Sequence, residues 1–194
     1  MSDPTLDPYA PPKTDVNQAA TGVAAAGEVR YFVMSPGSLV LLSTVTVGLF
    51  GLYWAYRQWE AVRQSGEKIR PLGRTIFLIF FVHALFRGIQ SARHQADLVA
   101  GRAQSAMATL YVILAILSNI AARAEGAGAF LVSIAFTVGE AAVLSLAQGD
   151  INELTRKTSN EGNRGIGAGG ILLIVLGGAL LLLAVVGSLG HVVP

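Results

Sequence analysis

Cysteine is absent from this 194-residue chain, which excludes disulfide scaffolds, thiolate metal sites, iron–sulfur clusters and cysteine nucleophiles. Charge is scarce. Asp, Glu, Lys and Arg make up 13% of the residues, about half the share usual in a soluble domain. Neither sign dominates: fourteen Lys and Arg against twelve Asp and Glu leave +2, too little to imply a nucleic-acid partner. The three histidines, His83, His94 and His191, lie outside any protease or hydrolase motif, and no nucleophile–base pair is visible. The first residues also lack the basic start and apolar run of a signal peptide.

What the chain holds in excess is hydrocarbon. Hydrophobic residues reach 53%, mean hydropathy is +0.55, and the apolar residues gather in blocks long enough to cross a bilayer. The expected class is all-α integral membrane, with about four transmembrane helices and one short re-entrant or amphipathic helix. Residues 1–34 read as a disordered polar tail, because they cannot bury enough apolar surface to offset their ordering entropy. Residues 35–190 read as a multi-pass helical domain with spans at 38–56, 106–122, 127–148 and 166–189. Tyr53, Trp54, Tyr56 and Trp59 crowd the end of the first span, as aromatic residues do at a headgroup boundary.

The block Thr75–Phe86 reaches only about 18 Å as a helix, too short to cross. His83, Arg87, Gln90, His94 and Asp97 recur within and beyond it at four- and three-residue steps, which puts all five on one helical face. A half-inserted helix over 75–102 follows. Positive residues favour the cytoplasmic side, so topology can be scored by counting them. Five full crossings divide the fourteen Lys and Arg eight to six, whereas a returning second block divides them eleven to three. The second arrangement is the expectation, and it leaves the N-terminus non-cytoplasmic. Under it, probes at Ser2 and Ser65 react from opposite sides.

The string Thr46-Val47-Gly48-Leu49-Phe50-Gly51-Leu52-Tyr53-Trp54, followed by Tyr56-Arg57-Gln58-Trp59, resembles the first-helix signature of an uncharacterised bacterial multi-pass membrane family. Ile69-Arg70-Pro71, the Phe-rich run Ile76–Phe86, and Gln148-x-x-Ile151-Asn152 before a final apolar helix are similar to the same family. The resemblance implies several helices in a bacterial inner membrane. It implies no activity.

Glu140 is the most informative candidate, since an ionisable group inside a span is costly and usually faces a protein or aqueous interior. It reads either as a proton- or cation-binding carboxylate or as a carboxyl hydrogen-bonded to a neighbouring helix. His83 and Arg87, one turn apart, are its candidate partners, the alternative being an Arg reaching to phosphate headgroups beside a capping His. Asn119 and Ser118 are expected to hydrogen-bond across helices. His94 and Asp97 are spaced for a metal but lack a third ligand, so neither a metal nor a cofactor is expected. Gly165, Gly167 and Gly170 spell G-x-G-x-x-G without the preceding strand that dinucleotide binding needs. Gly170, Gly177 and Ala184 instead form a small-residue stripe for helix packing, with Gly48 and Gly51 as counterparts in the first block.

Three function classes follow. The leading expectation is a non-enzymatic scaffold or accessory protein acting through helix–helix contacts, with a second copy or another membrane protein as partner. The alternatives are a small proton- or ion-coupled transporter or channel component using Glu140, and an intramembrane enzyme. The basic run Arg57–Arg74 is expected to attract anionic lipid at the bilayer surface.

Overall fold

In a computed structural model the chain is all-α, with seven helices and no strand among the described residues. Those residues are 28–124, 126–158 and 165–190, the side chains of 127, 184 and 187–190 excepted. Residues 1–27 of the expected tail and the side chain of Ala184 therefore lie outside the described residues. Residues 28–34 are a correction to that tail: Tyr31 and Phe32 are buried in the core.

The first apolar block is a second correction. A single helix over 38–56 was expected, but the chain forms α1 (Pro36–Val45) and α2 (Leu49–Gln64) with a reversal between them. Val47 and Gly48 both take left-handed backbone angles, φ +51° and +87°, which ends α1 and turns the chain back. The Thr46 hydroxyl donates to Leu42 O at 2.8 Å and accepts from Phe50 N–H at 2.9 Å, so it serves the backbone on both sides of the turn. Phe32, before α1, and Gln58, late in α2, exchange two hydrogen bonds of 3.0 Å. The block enters and leaves at the same end. It is a hairpin.

A second, shorter hairpin follows. Pro71 opens α3 (Pro71–Ile76) at the position where its missing N–H costs nothing. The chain bends at Phe77 and returns as α4 (Leu78–Gln95). The helix expected over 75–102 thus begins earlier, breaks at Phe77 and stops at Gln95, with Asp97 beyond it at φ +53°. Its last stretch is not helical because residues 101–103 give their backbone N–H groups to side chains, as described below.

The remaining helices are α5 (Ser105–Ala121), α6 (Ala127–Thr158) and α7 (Ala168–Gly190). The ends of α5 and α7 fall within two residues of the expected 106–122 and 166–189. α6 differs: it continues ten residues past Gln148, because nothing from Asp150 to Thr158 breaks a helix, and reaches about 48 Å. α5 and α6 pack most closely of all. Gly139 of α6 lies under Leu114 of α5, where an added Cβ would come within 3.1 Å. Small residues at such a seam let two backbones approach.

Two buried polar knots tie these elements together at the end where α6 finishes. In the first, Gln148 donates to Phe32 O at 3.3 Å and to Asn152 Oδ1 at 2.7 Å, and its carbonyl accepts from the Trp54 indole. Asn152 donates to Met34 O at 2.9 Å, which fixes the chain leading into α1. In the second, Asp150 accepts from Gln90 Nε2 at 3.0 Å, Arg102 N–H at 3.0 Å and Ala103 N–H at 2.8 Å. Buried Arg93 donates to Asp150 O, Val99 O and Glu153 Oε2 at 3.0, 3.1 and 2.8 Å. Removing one member of such a buried ionic group commonly costs about 3–5 kcal/mol, because the other charge is left unpaired.

The far end of the bundle is made by the α5–α6 connector and the end of α7. Among the described residues, α6, over Gly128–Thr158, is the one helix that is both long and apolar enough by composition to cross a membrane. α1, α5 and the described part of α7 are apolar but shorter. Only 28% of the most apolar window of α6 is buried, which does not suit the core helix of a water-soluble protein.

Two predictions follow from this end of the molecule. A Cβ on Gly101 would overlap the Asp150 carboxylate, so Gly101→Ala is expected to destabilise the protein by about 1–3 kcal/mol, read from unfolding in mixed detergent. Burial, aided by the nearby negative charge of Glu67, pushes the Tyr31 hydroxyl up to about 12. Its folded state therefore holds the proton more tightly than the unfolded chain. The associated stability is complete below about pH 10 and is lost as the pH rises through about 12. Phenolate absorbance is expected to show a late-titrating component that is diminished in Tyr31→Phe.

Candidate functional site

The tips of the two hairpins meet partway along α6. Gly48 faces Thr137, and Val47, Gly48 and Leu49 of one tip join Ile76, Leu78 and Ile79 of the other around a cavity of about 320 Å³. Tyr111, Ala115, Ser118 and Asn119 of α5, with Thr137 and Glu140 of α6, complete its wall. Glu140 lies about 12 Å from Gln148 along α6 and about 20 Å from Ala127, well away from both ends of the bundle. It is half-buried.

Helical register explains this grouping. Thr137 and Glu140 are three residues apart on α6, and Tyr111, Ala115 and Ser118 follow four- and three-residue steps on α5. The hydroxyls are held in place. Thr137 donates to Ser133 O at 3.1 Å, and Ser118 Oγ lies 3.3 Å from Thr137 Oγ1 and 3.5 Å from Ser133 O. Ser118 thus bridges α5 and α6. Asn119 does not: its amide donates to Ala115 O at 2.8 Å within its own helix. The expected cross-helix bond of Asn119 is corrected accordingly.

His83 and Arg87 do not join Glu140. His83 Nε2 lies 3.1 Å from Thr109 Oγ1, Arg87 is exposed, and neither lines the cavity. The reason is the hairpin, which presents the Leu78 end of α4 to Glu140 and carries His83 and Arg87 further toward the polar end. Of the five residues expected on one face, Gln90 alone enters a buried network, through Asp150 and through Gly101 N–H, which donates to Gln90 Oε1 at 2.8 Å. His94 and Asp97 are exposed, and no group of three metal-ligating side chains occurs among the described residues.

The small residues find partners inside the chain. A Cβ on Gly177 would overlap Thr46, and one on Gly170 would overlap the Tyr53 ring. Gly51 lies against Leu144, 3.2 Å from an added Cβ, and Gly48 is the hairpin turn itself. Gly167 N–H donates to Tyr53 Oη at 3.1 Å. The signature string at 46–54 therefore builds a turn and a seat for α7.

The basic run is also largely occupied. Arg57 donates to Tyr53 Oη and Gly165 O, both at 2.7 Å, and stacks on Phe32 at 4.5 Å. Arg63 pairs with Glu60, whose carboxyl it holds below the usual range, and Arg74 covers Trp59 at 4.5 Å. Lys68 and Arg70 remain without an ion-pair or ring partner among the described residues.

No protein-family profile, curated protein or solved structure matches this chain.

Room and conformation can be separated at the turn. A Cβ on Gly48 would sit 3.9 Å from Thr137, an ordinary contact. Gly48→Ala is therefore expected to lose about 1–2 kcal/mol through its left-handed backbone alone, checked by unfolding in mixed detergent.

Proposed function

We propose that this chain is a polytopic membrane protein in which α5, α6 and α7 cross the bilayer and the two hairpins enter halfway. The support is the surface. Ile113, Ile116 and Ile120 on α5, Leu131 and Val132 on α6, and Leu172, Val175, Leu182 and Leu183 on α7 are all exposed, a belt far larger than a water-soluble monomer tolerates. Arg30, Arg57, Arg63, Lys68, Arg70, Arg74, Arg93, Arg102, Arg156 and Lys157 lie toward the polar end, Arg87 a little deeper, and Arg123 at the other end. That bias supports a cytoplasmic polar end. It also reverses the expected position of the N-terminus, since that expectation required residues 38–56 to cross as one helix. A bacterial plasma membrane is the setting that the sequence resemblance implies.

Within that architecture the reading we favour is a small proton- or cation-coupled transporter or channel component. One observation carries it: two broken helical elements meet at mid-depth around an intramembrane carboxylate, the arrangement in which secondary transporters build their sites. The scaffold reading drew on the abundance of small residues and the scarcity of buried charge; Gly170 and Gly177 are already covered by Tyr53 and Thr46, and Arg93 and Asp150 are buried. We assign no catalysis. Lys68 and Arg70 are left to attract anionic headgroups, each contributing on the order of 1 kcal/mol.

Reconstituted protein is expected to carry a proton flux across vesicles under a pH gradient, and Glu140→Gln to lose it while keeping its unfolding midpoint. Equal flux in both proteins would remove the reading. Cysteines at Ser2 and Ser65 are expected to label from one side and a cysteine at Ala124 from the other.

A further inference from the structure

Building on the Glu140 site just proposed, we infer that its ligand is a small amphiphilic organic cation that enters sideways from the hydrocarbon, rather than a hydrated inorganic ion. The walls argue first. The cavity has two sides: Leu49, Leu78, Ile79 and Ala115 line an apolar one, Ser118, Asn119, Thr137 and Glu140 a polar one, with no Lys or Arg among the lining residues to neutralise the carboxylate. Among the described residues no ion pair engages Glu140. An apolar body with one positive charge complements such a wall, and a ligand with two charges does not.

Size argues next. A volume of about 320 Å³ falls at the lower end of the range for organic-ligand pockets and is far more than one dehydrated ion fills. A divalent metal would want six or more oxygens with several carboxylates among them. Here the only carboxylate is Glu140, and the Ser118 and Thr137 hydroxyls are engaged with each other and with Ser133 O, Ser118 also facing the Glu140 carboxyl.

The rim sets the route. Val47, Leu52 and Ile76 line the cavity yet are 39%, 37% and 65% exposed, at the depth where the hairpins turn. The opening between the two tips therefore faces lipid tails. The polar end is closed above it by the Gln148 and Asp150 knots. A ligand that partitions into the bilayer reaches Glu140 directly, while an ion in water meets the closed end.

Benzyltrimethylammonium, permanently charged and compact, is the probe, and neopentylbenzene is its neutral counterpart of the same shape. Calorimetric titration of the full chain in nanodiscs is expected to show saturable binding of the cation that neopentylbenzene does not compete away. Glu140→Gln is expected to weaken binding about tenfold or more, the worth of one charge–charge contact in a partly buried site. Glu140→Asp keeps the charge and is expected to retain binding, and Leu52→Trp, which fills the rim, to reduce it. Absence of cation binding, equal binding by Glu140→Gln, or full competition by neopentylbenzene overturns the inference. If that happens while Glu140→Gln still abolishes proton flux, the carboxylate site stands and the ligand class falls. If Glu140→Gln changes neither flux nor binding, both fall together.

Discussion

A helix that stops short inside hydrocarbon leaves backbone donors and acceptors with no water to meet them, and each costs several kcal/mol unless the chain supplies a partner. That constraint shapes the proposed fold. α1 can end where it does because Gly48 N–H reaches back to Ser43 O at 2.7 Å and Thr46 serves both Leu42 O and Phe50 N–H. The turn is thereby closed on itself. Without that closure the apolar run at 38–56 would have to continue as a single helix, and the cavity against α6 would have no floor.

The two polar knots answer the same constraint from the other side. The hairpins already bury Leu39, Phe50, Trp54, Val82, Phe86 and Ile89 in the core, and the polar knots fix the chain beside them. Gln58, Gln148 and Asn152 clamp the chain on either side of α1, and Arg93 with Asp150 clamps the chain after α4. Each clamp grips backbone groups of an extended segment, which side-chain packing alone would let slide. The amide clamps carry no net charge, so they avoid the desolvation cost of ions. The Arg93 group does bear that cost, and its two backbone acceptors, Asp150 O and Val99 O, together with the Glu153 carboxylate offset it.

The helical class was legible because hydrophobic blocks speak for themselves, and α5 and α7 have ends close to those that composition suggests. The hairpins were not legible from block length. Nineteen apolar residues are compatible with one crossing or with a bent pair, and Val47, a β-branched residue, gives no hint of a left-handed backbone. Glu140 was found because a carboxylate stands out in an apolar run. Gln58, Arg93 and Gln148 were missed for the opposite reason: each sits in the core register of its helix. Arg93 continues the buried series Val82, Phe86 and Ile89, and Gln58 continues Phe50 and Trp54. A polar side chain occupying an apolar stripe was the available signal. The pairing of His83 and Arg87 with Glu140 failed because shared helical face says nothing of depth along the neighbouring helix.

One feature of α6 ties the two halves of the molecule. A single unbroken helix carries Glu140 among the hairpin tips and, ten residues on, Asp150 among the loop amides. Such a rod is stiff over this length, so it behaves as a lever. Any rocking that widens or narrows the space beside Glu140 also pulls on the strap at Phe32 and the loop at Ala103, and tension on those segments is felt at the carboxylate in turn.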